Sequence, residues 1–330
     1  MSNSERPLFD DREGRKSSWQ SAFAFTAIAL VLAGASHIGL LRVLRHIGDG
    51  DFGVWNRIVE GRVNADVLIV GSSRAREQVD CALLASNLGR SCFNIGLDAS
   101  SAAIQSALIT TFLQHNRAPK VAIFSLSFWD VADNPVYDAA QYTPYLNEAP
   151  LYDMLARYDP TAWKQRFVPL YSVATYGNRL LTPAIRHLLG KPESATPRRD
   201  DGSGPLDIPW DGAFEVFRAQ YPNGKNTPVS AQSVTALNTN MKLLRAQGAR
   251  IVAIYAPEWH GARPYVLNRA DVFTAFRAAA AAVDAPFIDY SEHPISLDKS
   301  NFHNSQHLNK KGTTAFTPVL ASDLQRLAVP

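Results

Sequence analysis

Ser73 stands at the end of the stretch Asp66-Val67-Leu68-Ile69-Val70-Gly71-Ser72-Ser73-Arg74. An apolar run bounded by small turn residues reads as a buried strand. A hydroxyl just past its carboxyl end lies where open α/β sheets bind ligands. Ser73 is therefore a candidate nucleophile, and a serine needs a base to take its proton. The stretch Asn301-Phe302-His303-Asn304-Ser305-Gln306-His307-Leu308-Asn309-Lys310-Lys311-Gly312 offers one. It is a polar loop leading into the last helix, with His307 at the junction. Ser and His far apart in sequence and adjacent in space are the usual form of a nucleophile–base pair.

Other residues at the same sheet edge have two readings each. Glu258 and His260 follow the fourth strand and either line a substrate cleft or belong to a surface loop. Arg74, at the start of the helix after Ser73, is a candidate for binding an anionic substrate or for a structural salt bridge. Cys81 and Cys92 have neither zinc spacing nor a Cys-x-x-Cys pattern, so no metal site is expected, and no cofactor. A disulfide and two separately buried thiols both remain open for them.

These side chains need a frame. Apolar runs at 66–70, 92–96, 121–126, 250–256 and 287–289 read as strands. Between and after them lie helical stripes at 75–88, broken near Asp80, at 100–115, at Val234, Leu237, Met241 and Leu244, at 272–283 and at 316–327. Strands alternating with helices predict an α/β fold: a parallel five-stranded sheet wound on both faces. Residues 128–229 break the rhythm and are rich in Pro, Tyr and Trp. So large an insertion is expected to be a lid or a binding surface. Each aromatic is read as core, the insertion as a whole as a cleft. Its polar stretch Pro192–Pro209 is expected to be a mobile loop.

The amino-terminal region carries no Asp, Glu, Lys or Arg from Ser17 to Leu41. That is enough for a helix to cross a bilayer. Arg6, Arg12, Arg15 and Lys16 precede it, which predicts an amino terminus inside the cell and the remainder outside. A cleaved signal peptide ending near Ala33-Gly34-Ala35 is the competing reading, but the apolar run continues past that point. The expected organisation is a cytoplasmic tail at 1–18, an anchor at 19–41, a loosely packed tether at 42–65, and the α/β domain at 66–330. A net charge of +3 with scattered basic residues argues against a nucleic-acid partner.

Gly71-Ser72-Ser73, Asn94-Ile95-Gly96 and Asn304-x-x-His307-Leu308-Asn309-x-x-Gly312 together resemble the SGNH (GDSL-type) hydrolase superfamily. The resemblance covers roughly 60–127 and 230–327 and is nearest to membrane-anchored members associated with bacterial envelope-glycan acylation. It implies a three-layer, flavodoxin-like α/β/α sheet domain. By position, Ser73 matches the nucleophile, His307 the base and Gly96 a backbone oxyanion donor. The Leu308-Asn309-x-x-Gly312 context favours His307 over His303, which is expected to be an exposed loop residue. The family also uses an Asn side chain as oxyanion donor. Here the third block reads Ser125-Leu126-Ser127-Phe128-Trp129-Asp130, leaving Ser127 or Asn94 as candidates. Where the family has Asp three residues before the base, this chain has Asn304, with Asp298 nearby.

The function this implies is a single-pass bacterial inner-membrane protein with a periplasmic serine esterase or O-acyl(acetyl)transferase domain. Its partner would be an envelope polysaccharide or acylated glycan. The alternative is a catalytically weak or inactive subunit that binds glycan or docks a membrane O-acyltransferase. A phosphate-binding domain using the Gly71-Ser72-Ser73 turn lacks a glycine-rich fingerprint or Walker lysine.

Overall fold

A computed structural model describes residues 11–192 and 198–327, with side chains from residue 19 onward. Five strands form one parallel sheet: β1 (Val67–Gly71), β2 (Cys92–Asn94), β3 (Val121–Ser125), β4 (Arg250–Tyr255) and β5 (Phe287–Asp289), in the order β2-β1-β3-β4-β5. Successive strand residues face opposite sides. Leu68, Val70, Ala122 and Phe124 pack with Leu108, Phe112, Met241 and Phe276 in one core. Val67, Ile69, Val121 and Ile123 pack with Leu84, Phe316, Leu320 and Leu324 in a second. Central strands buried on both faces explain why the sequence runs are continuously apolar rather than alternating.

The helix expected at 75–88 is two: Ser73–Gln78, then Cys81–Leu88, capped by the Asp80 carboxylate on the Ala82 and Leu83 amides. The open choice at Cys81 and Cys92 resolves as a disulfide, with Cα atoms 5.2 Å apart. It ties the second helix to the edge strand.

The segment 42–65 is not a loose tether. Its helix Gly50–Val59 buries Phe52, Trp55 and Ile58. Trp55 packs against Tyr142 and Tyr145 and donates to Gln141. Those two tyrosines of the insertion are thus core. Part of the stretch expected to be a mobile loop is also docked, while residues 193–197 lie outside the described residues. Arg198 is buried; its Nη2 donates to the Asn94 carbonyl and its Nη1 to Asp51. The first helix runs Asp11–Leu44, past the expected end at Leu41. Trp19–Leu44, whose most apolar 18 residues average a hydropathy of 1.9, is long and apolar enough to cross a membrane.

Candidate functional site

The site forms where the ends of β1 and β3 meet the loop ahead of the last helix. Gly71 ends β1 with φ +149°, and a Cβ there would lie 2.4 Å from the Ser125 carbonyl oxygen. Glycine alone fits that approach. The chain then turns at Ser72, whose buried hydroxyl donates to Ser127 Oγ at 2.9 Å. Ser73 opens the next helix, half-buried.

The opposing loop is a tight hairpin. Phe302 bridges Leu308, and the His303 amide donates to the His307 carbonyl at 3.1 Å. Asn304 Oδ1 accepts from the Gln306 and His307 amides, both at 3.0 Å. The last helix, Lys310–Arg326, begins at Asn309, whose side chain caps the Gly312 amide. The insertion clamps this loop from outside. The Asp211 amide donates to the His303 carbonyl and the Lys310 amide to the Leu206 carbonyl, both at 2.7 Å.

Ser73 Oγ lies 2.7 Å from His307 Nε2. On the far side of the ring, His307 Nδ1 is 2.8 Å from Asn304 Oδ1. Two backbone amides already donate to that Asn304 atom, which identifies it as the oxygen. The ring must then carry its hydrogen on Nδ1, leaving Nε2 to accept from Ser73. The chain of donors continues inward. Asn304 Nδ2 lies 3.2 Å from His303 Nδ1 and 3.5 Å from Asp211 Oδ2. His303 Nε2 then donates to Glu77 Oε2 at 2.8 Å. Glu77, His303, Asn304, His307 and Ser73 therefore form one continuous hydrogen-bonded line. Burial drives the His307 pKa down to about 4; His303, Arg74 and Arg76 push the same way, against the Glu77 carboxylate. The imidazole is neutral at physiological pH and able to take a proton. At Glu77 burial favours the neutral acid, but the His303 hydrogen bond, the charge His307 gains at such acid pH, and Arg76 prevail and hold the pKa at about 2.

His303 is thus buried and paired, not an exposed loop residue. Glu77 went unnoticed in the sequence, although its four-residue spacing from Ser73 puts both on one helix face. Asp298 does not reach the ring: it accepts from the Ser300 amide and pairs with Lys311.

The three candidate oxyanion donors other than the Ser73 amide are engaged elsewhere. The Gly96 amide donates to Asn94 Oδ1 at 2.9 Å. Asn94 is buried, and its Nδ2 donates to the Ala75 and Val79 carbonyls. Ser127 is buried and donates to Asp130 Oδ2. Gly96 nonetheless has a clear structural reason: a Cβ there would lie 2.7 Å from the Arg76 amide nitrogen and 2.9 Å from the Ser72 carbonyl. The Ser73 amide, in the first turn of its helix, has no acceptor within that helix.

The substrate-binding candidates separate. Arg74 is buried, donating to the Ala256 carbonyl and stacking over Tyr255 at 4.3 Å, contacts that fit the structural reading. Glu258 is buried between Arg269 and the Tyr255 hydroxyl, and still reaches the wall of a cavity. His260 is exposed beside the Ser296 carbonyl. That cavity, about 310 Å³, is lined by Phe128, Trp129, Phe214, Phe217, Tyr265 and His307 among others. The insertion residue Phe214 packs edge-on against Tyr265 in that lining and also meets Trp259, which packs against Trp210. Among the described residues, Glu77, His303 and His307 have ligand atoms within 4.8 Å of one another, close enough to share a metal ion. The Ser73, Asn304 and Glu77 hydrogen bonds already account for the two rings.

The chain matches no model of a known protein family, and no curated protein matches it.

Proposed function

We propose that the protein is a membrane-anchored serine esterase or O-acyltransferase of the SGNH type, acting on an acylated polysaccharide of the bacterial envelope from the periplasmic face of the inner membrane. The reading takes the sheet and its two helical faces as the three-layer SGNH arrangement. The observation that carries it is the 2.7 Å contact between Ser73 Oγ and His307 Nε2, with the ring's other nitrogen held by Asn304.

In this mechanism Ser73 Oγ attacks the ester carbonyl carbon while its proton moves to His307 Nε2. The carbon–oxygen bond to the sugar breaks, and His307 returns the proton to the departing oxygen. Water or a second sugar hydroxyl then attacks the acyl-serine carbonyl and gives its proton to His307; the acyl–Oγ bond breaks and His307 returns the proton to Ser73 Oγ. The aromatic cavity beside His307 suits a sugar ring or acyl group. Acetyl is the acyl group the family resemblance favours.

A fluorophosphonate probe on the full-length protein in detergent tests this. Labelling should occur, vanish in Ser73→Ala and weaken in His307→Ala. Wild-type protein that neither labels nor cleaves acetyl esters would overturn it.

One observation favours the second reading, a catalytically weak subunit that binds glycan or docks a membrane acyltransferase. The Gly96 amide is occupied by Asn94, and a missing oxyanion donor costs about 2.7–4 kcal/mol of transition-state stabilisation. Glycan binding without labelling would favour it.

A further inference from the structure

The long amino-terminal helix is bare over only part of its apolar length. Residues 19–32 are exposed all round, and Ala33 is the first with partial cover. At 1.5 Å per residue those fourteen positions rise about 21 Å. Counting from Ser17, the first residue after Lys16, adds only about 3 Å. The hydrocarbon layer is about 30 Å thick. A helix that spans it must therefore remain in lipid past Ala33, to about Ile38. Tilt lengthens that requirement.

Beyond Ala33, however, the helix is not alone. The insertion helix Asn178–Leu188 packs against the first helix, whose first partly covered residues are Ala33 and Gly34. Gln165 and Arg166, from the insertion helix Ala162–Phe167, share a small cleft with His37 and Leu41. Whatever packs at that level shares the bilayer with it. The outward surfaces of these two helices suit that place. Ile185, Leu188 and Leu189 recur at three- and four-residue spacing and are exposed, Leu188 to 70%. Trp163 and Phe167, four residues apart, are exposed as well. An apolar stripe exposed to this degree suits lipid, and Trp favours the membrane–water boundary.

We infer that the insertion helices 162–167 and 178–188 are seated in the lipid leaflet beside the anchor, with Ile185, Leu188 and Leu189 in hydrocarbon and Trp163 at its boundary. The occupant of this surface is phospholipid. The domain is then held against the membrane at a fixed attitude rather than swinging on a stalk. This rests on the reading of the first helix as a membrane span.

Spin labels on the full-length protein test it, in nanodiscs of phosphatidylethanolamine and phosphatidylglycerol. Nitroxides are placed singly by Leu188→Cys and Ile185→Cys, with Leu30→Cys and Leu297→Cys as references. All four sites are exposed, so the labels leave the core intact. Leu188 and Ile185 labels should collide with oxygen severalfold more, relative to a water-soluble nickel chelate, than the Leu297 label does. A ratio equal to that at Leu297 overturns the inference while Leu30 still reports lipid. Low collision with both reagents at Leu188 and Ile185 overturns it too, since a protein surface would then cover them. A water-like ratio at Leu30 instead removes the membrane span itself.

Discussion

Asn304 Oδ1 accepts the Nδ1 hydrogen of His307 at 2.8 Å, in the place where a charged carboxylate would ordinarily stand. An amide there risks presenting its NH₂ to the ring and forcing the wrong tautomer. The loop prevents this by giving the oxygen two backbone donors and the nitrogen two acceptors, His303 Nδ1 and Asp211 Oδ2. The geometry of the pair is kept and its charge omitted.

Supplying that charge should strengthen the base. In Asn304→Asp the new oxygen would face Asp211, so the variant is best made together with Asp211→Asn. A carboxylate on the ring should raise the His307 pKa by about one to three units. Esterase kcat/KM at neutral pH should rise, with the roughly 10⁴-fold effect of the opposite change in a serine protease as a ceiling. An unchanged rate and pH profile would remove Asn304 from the mechanism.

The wild-type pH profile should be displaced to acid. In the proposed mechanism His307 must be neutral to act, so kcat/KM should fall as pH drops through about 4, against about 6.5 for an unperturbed imidazole. The same group links folding to pH. Between those two values the unfolded chain binds a proton that the folded site refuses, so stability should decline as pH falls across that window. An acid limb near 6.5 would contradict the burial of the ring.

Glu77 anchors the inner end of the line. Glu77→Ala strips a buried partner from both His303 and Arg76. Breaking such a pair should cost about 3–5 kcal/mol, read as a lower urea midpoint. Glu77→Gln, which keeps the shape and removes the charge, should lower the His307 pKa further and move the acid limb of kcat/KM down.

Gly96→Ala should be damaging although its amide faces Asn94 rather than a substrate. The added methyl would press on the Arg76 amide and the Ser72 carbonyl. Overpacking of this kind costs about 1–3 kcal/mol. Because it displaces the turn carrying Ser73, fluorophosphonate labelling should slow in parallel with the loss of thermal stability.

Reduction of the Cys81–Cys92 disulfide should lower stability by about 2–3 kcal/mol, from the loop it closes in the unfolded chain. Urea titration with and without dithiothreitol measures it. No difference would mean that the helix and edge strand are held together by packing alone.

Much of the frame was legible because it depends on local pattern. Continuous apolar runs marked all five strands, the stripes marked the helices around them, and Asp80 marked the break between two helices. The uncharged stretch after Lys16 marked a helix able to cross a membrane. Ser73 and His307 were legible because each sits at a strand or helix end, where backbone direction follows from sequence. What the sequence left dark was partnership. Arg74 reads either as a substrate ligand or as a structural residue until the end of β4 closes over it. His303 reads as a surface residue until Glu77 arrives from a helix far away in the chain. Gly96 reads as an oxyanion donor until Asn94 takes its amide. The choice between thiols and a disulfide, and the conversion of a supposed tether into core around Trp55, are of the same kind. Secondary structure is set by neighbours in sequence. Hydrogen-bond partners, burial and proton affinity are set by neighbours in space, and only the folded chain decides who those are.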